Sequence, residues 1–208
     1  MDFVCLTLGH ITYPPALTQY LGKDAPSSVA ALGNLEALKR NKLGLFCSVK
    51  CPGKVILQTH DLARQLIQAG VTVIGGFQSP VERECLRILV RGSQPLIICP
   101  ARSLKKMRMQ KEWRKALDDG RLLFLSPFPD NRHRGDAEMA LYRNRFVAAL
   151  ADRIFVPYAA PGSKTEYFCR EVGGWGKGLY TFESDIAEGL ISLGAKPLAL
   201  PEASSDLV

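Results

Sequence analysis

Short apolar runs along most of the chain alternate with stretches whose apolar positions recur every three to four residues. The runs predict strands at Leu43–Cys47, Val71–Phe77, Pro95–Cys99, Leu122–Leu125, Ile154–Tyr158 and Gly178–Phe182. The periodic stretches between them predict helices over residues 54–69, 80–91, 104–119, 137–151 and 164–172, with another near 185–193. Such alternation implies a mainly parallel sheet with helices on both faces, because each parallel crossover needs a helix to bring the chain back. The expected fold class is therefore α/β, of the Rossmann-like kind.

Local signals sharpen several boundaries. Leu57, Leu62, Leu66 and Ile67 follow near-helical spacing, and Gly70 supplies a left-handed stop before Val71. Ser79-Pro80-Val81-Glu82 reads as a helix start: a capping hydroxyl, a proline where a missing N–H costs nothing, and an acid at the third position. Met109, Trp113, Ala116 and Leu117 form one apolar stripe, read as core, and Gly120 ends that helix. The first forty residues are different. Tyr13-Pro14-Pro15 and apolar positions at Leu17, Leu21, Val29, Leu32, Leu35 and Leu38, with Ser27 or Ser28 as cap, predict a short helical N-terminal lead-in. The expected division is a lead-in over 1–40, a Rossmann-like domain over 41–195, and a flexible tail over 196–208 with Pro197, Pro201, Ser204 and Ser205.

Composition narrows the class. The 208 residues are 47% hydrophobic, yet no apolar stretch approaches the ~18 residues of a membrane span. The opening Met1-Asp2-Phe3-Val4-Cys5 has no basic segment of the secretory kind, so a cytoplasmic location is expected. Six cysteines sit mainly in or beside apolar runs and read as free thiols. Cys47 and Cys51 have no second pair at zinc-ligand spacing, so no metal is expected. The formal net charge is +7, and residues 101–121 hold eight Lys and Arg against Glu112, Asp118 and Asp119. A clustered cationic excess suits a polyanion, since each neutralised phosphate releases counterions; a solvated helix face is the plainer reading.

In an open parallel sheet, ligands bind where strands end and helix N-termini begin. Four loops fall there. The first is Cys47 to Gly53, with Ser48 and Lys50; the second is Gly75-Gly76-Phe77-Gln78-Ser79. The third is Pro100-Ala101-Arg102-Ser103, and the fourth is Pro161-Gly162-Ser163-Lys164-Thr165-Glu166. None is a dinucleotide fingerprint or a Walker A loop, so no nucleotide cofactor is expected. Arg143-Asn144-Arg145 lies in the helix before strand Ile154–Tyr158. At ~100° per residue its two arginines point roughly 200° apart, so one is expected at the ligand edge and the other in a local pair. His10, His60 and His133 are scattered, and no Ser/His/Asp relay is legible.

Tyr13-Pro14, Gly33-Asn34-Leu35, the loop at Cys47-Ser48, Gly75-Gly76, and above all Arg143-Asn144-Arg145 followed by Phe146 to Asp152 resemble the DNA-processing family DprA, also called Smf, over about residues 12–183. The resemblance implies a domain that binds single-stranded DNA through a basic pocket, forms a homodimer and helps load a RecA-type recombinase. The phosphate or DNA contacts it implies are Ser48, Lys50, Gly75, Gly76, Ser79, Arg102, Arg143, Asn144, Arg145, Gly162, Ser163, Lys164 and Thr165. Where the family has Gly-Ser-Arg, this chain has Cys47-Ser48-Val49, with Lys50 the nearest cation. The segment Pro161 to Glu166 is also similar to the motif of LOG proteins, nucleoside-monophosphate phosphoribohydrolases, one residue shorter. That likeness implies an alternative: an enzyme or sensor of a small nucleotide, with Glu166 and Arg143 or Arg145 as its working pair and Ser163, Lys164 and Thr165 holding the phosphate. A carboxylate at Glu166 suits such hydrolysis, and equally suits a first-turn partner of the helix dipole. A scaffold that kept the fold without a ligand is the third reading.

Overall fold

The apolar runs assemble into one nine-stranded sheet in a computed structural model that describes residues 3–199. Its strands are β1 (Val4–Thr7), β2 (Ser28–Gly33), β3 (Lys42–Leu45), β4 (Thr72–Gly75), β5 (Leu96–Ile98), β6 (Leu122–Ser126), β7 (Arg153–Phe155), β8 (Gly178–Phe182) and β9 (Lys196–Leu198). They lie in the order β1-β2-β6-β5-β4-β3-β7-β8-β9. From β6 to β9 all neighbours are parallel, whereas β1–β2 and β2–β6 are antiparallel. The chain winds outward from β3 to β6, then crosses back to β7 on the other side of β3. The switch point of this doubly wound sheet lies between β3 and β7, where Leu43 pairs with Arg153 and Leu45 with Phe155.

The helices are α1 (Pro15–Leu21), α2 (Gly53–Gln68), α3 (Pro80–Leu89), α4 (Lys111–Asp118), α5 (Ala137–Leu150), α6 (Lys164–Gly173) and α7 (Glu188–Ser192). Buried side chains of α2, α3 and α4 fill one face of the sheet with Leu43, Val73, Leu96 and Phe124. Those of α1, α5, α6 and α7 fill the other with Ile74, Ile97, Leu123 and Ile154. Burying each such side chain contributes on the order of 2 kcal/mol, so the central strands form a stiff platform for the loops at their ends. Among the described residues no helix is long and apolar enough to cross a membrane.

The lead-in differs from the sequence expectation. It does contain a short helix, α1, but β1 and β2 join the sheet, and Ser28 opens β2 instead of capping a helix. The motif residues of this region fasten it down. Tyr13 Oη donates to the Pro26 carbonyl at 2.7 Å. Gly33 has φ +113°, and a Cβ there would meet the Leu122 carbonyl oxygen at 2.1 Å. Asn34 accepts from the Glu36 N–H and donates to the Gly120 carbonyl. The helix expected over 104–119 begins at Lys111, because 101–110 is held as a loop. Ser103 N donates to the Arg132 carbonyl, Ser126 Oγ to the Arg102 carbonyl, and Lys106 has φ +60°. Of the expected tail, 196–198 form β9 and 200–208 lie outside the described residues.

Candidate functional site

Three side-chain ties join the four loops at the C-terminal edge of the parallel strands. At the switch point Ser48 Oγ lies 3.2 Å from Ser163 Oγ and accepts from the Ala160 N–H at 3.0 Å, which joins the loops after β3 and β7. Glu82, buried in the first turn of α3, accepts from the Cys47 N–H and the Gln78 N–H, each at 2.8 Å, which joins the loops after β3 and β4. Arg143 reaches up from α5 and donates to the Cys99 carbonyl at 3.0 Å and to Gln78 Oε1 at 2.8 Å, joining the loops after β4 and β5. Its Nε donates to Asn144 Oδ1.

Arg143 is only 2% exposed. Burial draws its pKa down, while the nearby Glu82 carboxylate works the other way and favours the charge. Its guanidinium packs against Gly76, where a Cβ would sit 1.5 Å from Nη1. Gly76 is thus glycine because an arginine occupies the space of its side chain. Beside it Phe77 takes φ +50°, unusual for an aromatic residue, and folds its ring back over Gly75.

Around this framework the cations are exposed. The N-terminus of α2 has no side-chain cap and no acid in its first turn, whereas α3 is capped by Ser79 and α6 by Ser163. Lys50 and Lys54 flank that open N-terminus, and neither has an ion-pair partner among the described residues. A groove of about 810 Å³ runs from Gly76 and Phe77 between α3 and the 102–113 segment. Arg83, Arg87, Arg91, Arg102, Arg108 and Lys111 line it against a single carboxylate, Glu112. Its floor is apolar, with Phe77, Leu86, Val90, Ile98, Phe124, Met107, Met109 and Trp113. Among the described residues, only Arg87 of these six cations has an ion-pair partner, Glu84.

The residues singled out from sequence are distributed unevenly over this site. Ser48, Gly75, Gly76, Ser79, Gly162 and Ser163 build and join the loops. Lys50 and Lys164 are exposed, Thr165 is half-buried behind the Ser163 cap, and Arg102 is half-buried in the groove. The sequence places one arginine of the Arg143/Arg145 pair against phosphate; the structure instead spends Arg143 on the loops beneath the surface. Arg145 bonds Glu171 at 2.6 Å and Asp24 at 3.3 Å, tying α6 to the lead-in. Asn144 is the acceptor that orients Arg143. Glu166 Oε2 accepts from the Gly162 N–H at 2.6 Å while its own N–H donates to Ser163 Oγ, a reciprocal cap of α6. Sequence reasoning passed over Glu82 as more than a cap, and over Arg83, Arg87 and Arg91. Their spacing of four residues was the signal that they line up along one side of α3 and the turn that follows it. No cluster of three metal-ligating side chains occurs among the described residues.

The fold and this edge define a doubly wound α/β protein whose strand-end loops are locked together from below and flanked by exposed cations. The chain belongs to the DNA recombination-mediator protein A family, whose model matches residues 4–186. In fold it is similar to DNA processing protein A (DprA) from Streptococcus pneumoniae, with TM-score 0.78 and 19% identity over 95% of this chain and 71% of that one. It is also similar to DNA processing protein A from Helicobacter pylori, with TM-score 0.77 and 20% identity over 100% of this chain and 94% of that one. A search of curated protein sequences finds no match.

Proposed function

We propose that this protein binds single-stranded DNA along the groove between α3 and α4, with phosphates on the groove cations and on the open N-terminus of α2. The observation that carries the reading is the groove itself: six cations against one carboxylate, set over an apolar floor. Cations that neutralise phosphates release the strand's condensed counterions to solvent, and unpaired bases offer flat apolar faces to the half-buried Trp113 and its methionine neighbours. A duplex hides those faces inside its stack, so the floor favours a single strand. The Helicobacter pylori relative is described for its mode of binding single-stranded DNA, which supports the same partner here. Homodimer formation and loading of a RecA-type recombinase extend this reading and rest on family membership alone.

The test is fluorescence anisotropy of a labelled single-stranded oligonucleotide across a salt series, with a nucleoside monophosphate as competitor. Engagement of all six cations gives a log–log salt slope of roughly −4, and the monophosphate does not displace the strand. Absence of oligonucleotide binding, or displacement by the monophosphate, overturns the reading in favour of the small-nucleotide alternative. That alternative also needs the Glu166 carboxylate, which here closes the cap of α6.

A further inference from the structure

Two of the chain's four methionines, Met107 and Met109, line the cationic groove. Exposure alternates along the stretch that carries them: Met107 and Met109 are half-buried, while Arg108 and Gln110 are exposed. Both methionines pack on the apolar cluster under the groove, as Trp113 does. In a helix, side chains two residues apart point roughly 200° apart; the loop conformation of 101–110 brings both to the floor. Met139, by contrast, is buried in α5 at 4% exposure, and Met1 lies outside the described residues. We infer that Met107 and Met109 form an oxidation site: a hydroperoxide converts them to methionine sulfoxide, and the change weakens the hold of the groove on single-stranded DNA.

A thioether has no proton to lose, so access to the sulfur, and not a neighbouring base, decides which methionine reacts. The groove is open to a molecule the size of hydrogen peroxide; the core around Met139 is not. The sulfur lone pair attacks one peroxide oxygen, and the S–O bond forms as the O–O bond breaks. The departing hydroxide takes the proton carried by the transferred oxygen and leaves as water. Sulfur gives up two electrons, one peroxide is reduced, and no other reactant takes part.

The product is polar where the floor was apolar. A base stacked over Trp113 then loses apolar neighbours and faces sulfoxide oxygens, whose desolvation no donor on the flat face of the base repays. The charge of the groove does not change, because a sulfoxide is neutral. Oxidation is therefore expected to weaken binding by one factor at every salt concentration and to leave the salt slope as it was, whereas loss of a cation would make the slope shallower.

The effect on DNA rests on the groove reading; the order of oxidation does not. The full chain is treated with hydrogen peroxide and then with dithiothreitol, which returns sulfenic acids and disulfides to thiols and leaves sulfoxides in place. Sulfoxides are mapped by mass spectrometry, and the labelled oligonucleotide is titrated across the salt series. The expected result is sulfoxide at Met107 and Met109 well ahead of Met139, with affinity lower by about tenfold, the size of one lost base stack, at an unchanged salt slope. Methionine sulfoxide reductases for both epimers are expected to restore it. Met107→Leu with Met109→Leu keeps the floor apolar and removes both sulfurs; its affinity, whatever the starting value, is expected not to respond to peroxide. Oxidation of Met139 as fast as the groove pair overturns the inference. So does full conversion of Met107 and Met109 that leaves affinity unchanged, or a double variant that loses affinity to peroxide as the parent does. If the untreated protein binds no oligonucleotide, the groove reading fails on that ground and the effect on DNA with it, and the order of oxidation alone decides whether the pair is a modification site.

Discussion

Arg143 and Gly76 are one feature seen from two sides. The guanidinium fills the space where any other residue at 76 would place its Cβ, and it holds the loops after β4 and β5 through Gln78 and the Cys99 carbonyl. Arg143→Met keeps much of the volume and removes every donor, leaving the carbonyl of the buried Cys99 without this partner and the exposed Gln78 free of its tie. The expected cost is about 3 kcal/mol, read as a fall in Tm of about 6–12 °C for a chain of this length. A variant melting within a degree of the parent contradicts the tying role. The sequence carried part of this. Helical spacing alone separates Arg143 from Arg145, and the structure does send one beneath the loops and the other to Glu171 and Asp24. Depth was not legible, because whether an arginine ends at a surface or under a glycine depends on how far β4 and β5 stand from α5, which no local pattern encodes.

At the scale of elements, the parallel strands were legible because a strand buried on both faces is a continuous apolar run. The antiparallel pair β1 and β2 was not. Ser28–Gly33 includes two alanines, which favour helix in isolation, and its pairing with β6 across more than ninety residues overrides that preference. Strand β9 is three residues long and contains Pro197, too short to leave a periodic signal. The basic segment 102–110 resembled helix for the opposite reason: its side chains suit one, and only the tertiary bonds of Ser103 and Ser126 hold it open. The end of α5 shows another such tertiary device. Lys177, outside that helix, donates to the Ala148, Ala149 and Ala151 carbonyls at 2.6–2.7 Å and lies over the Tyr20 ring. A cation at the carbonyl end of a helix complements its dipole. Lys177→Met is expected to lower the unfolding free energy by about 2 kcal/mol, measured by urea denaturation; an unchanged midpoint contradicts it.

Across the whole molecule, charge and shape are divided between the two edges of the sheet. The C-terminal edge carries the open N-terminus of α2 and one end of the cationic groove, which runs along α3 as far as Arg91. The N-terminal edge carries a cavity of about 710 Å³ between α1 and the end of α5, where Lys42 pairs with Asp152 and Lys39 with Glu36. The sequence located the surplus of positive charge but not its geometry. Arg83 and Arg87 come from α3 and Arg91 from the turn just after it, while Arg108 and Lys111 come from a segment some twenty residues later, and only the packed fold sets them across one groove. Association driven by net charge alone would weaken wherever two cations are reversed; association through the groove weakens only there. The most direct measurement is therefore oligonucleotide affinity, at matched salt, for Arg83→Glu with Arg108→Glu and for a control reversing Lys39 and Arg40 at the opposite edge. The account predicts at least about tenfold weaker binding and a shallower salt slope for the groove pair, with the control close to the parent protein. Equal losses in both, or a groove pair that binds as the parent does, would contradict it.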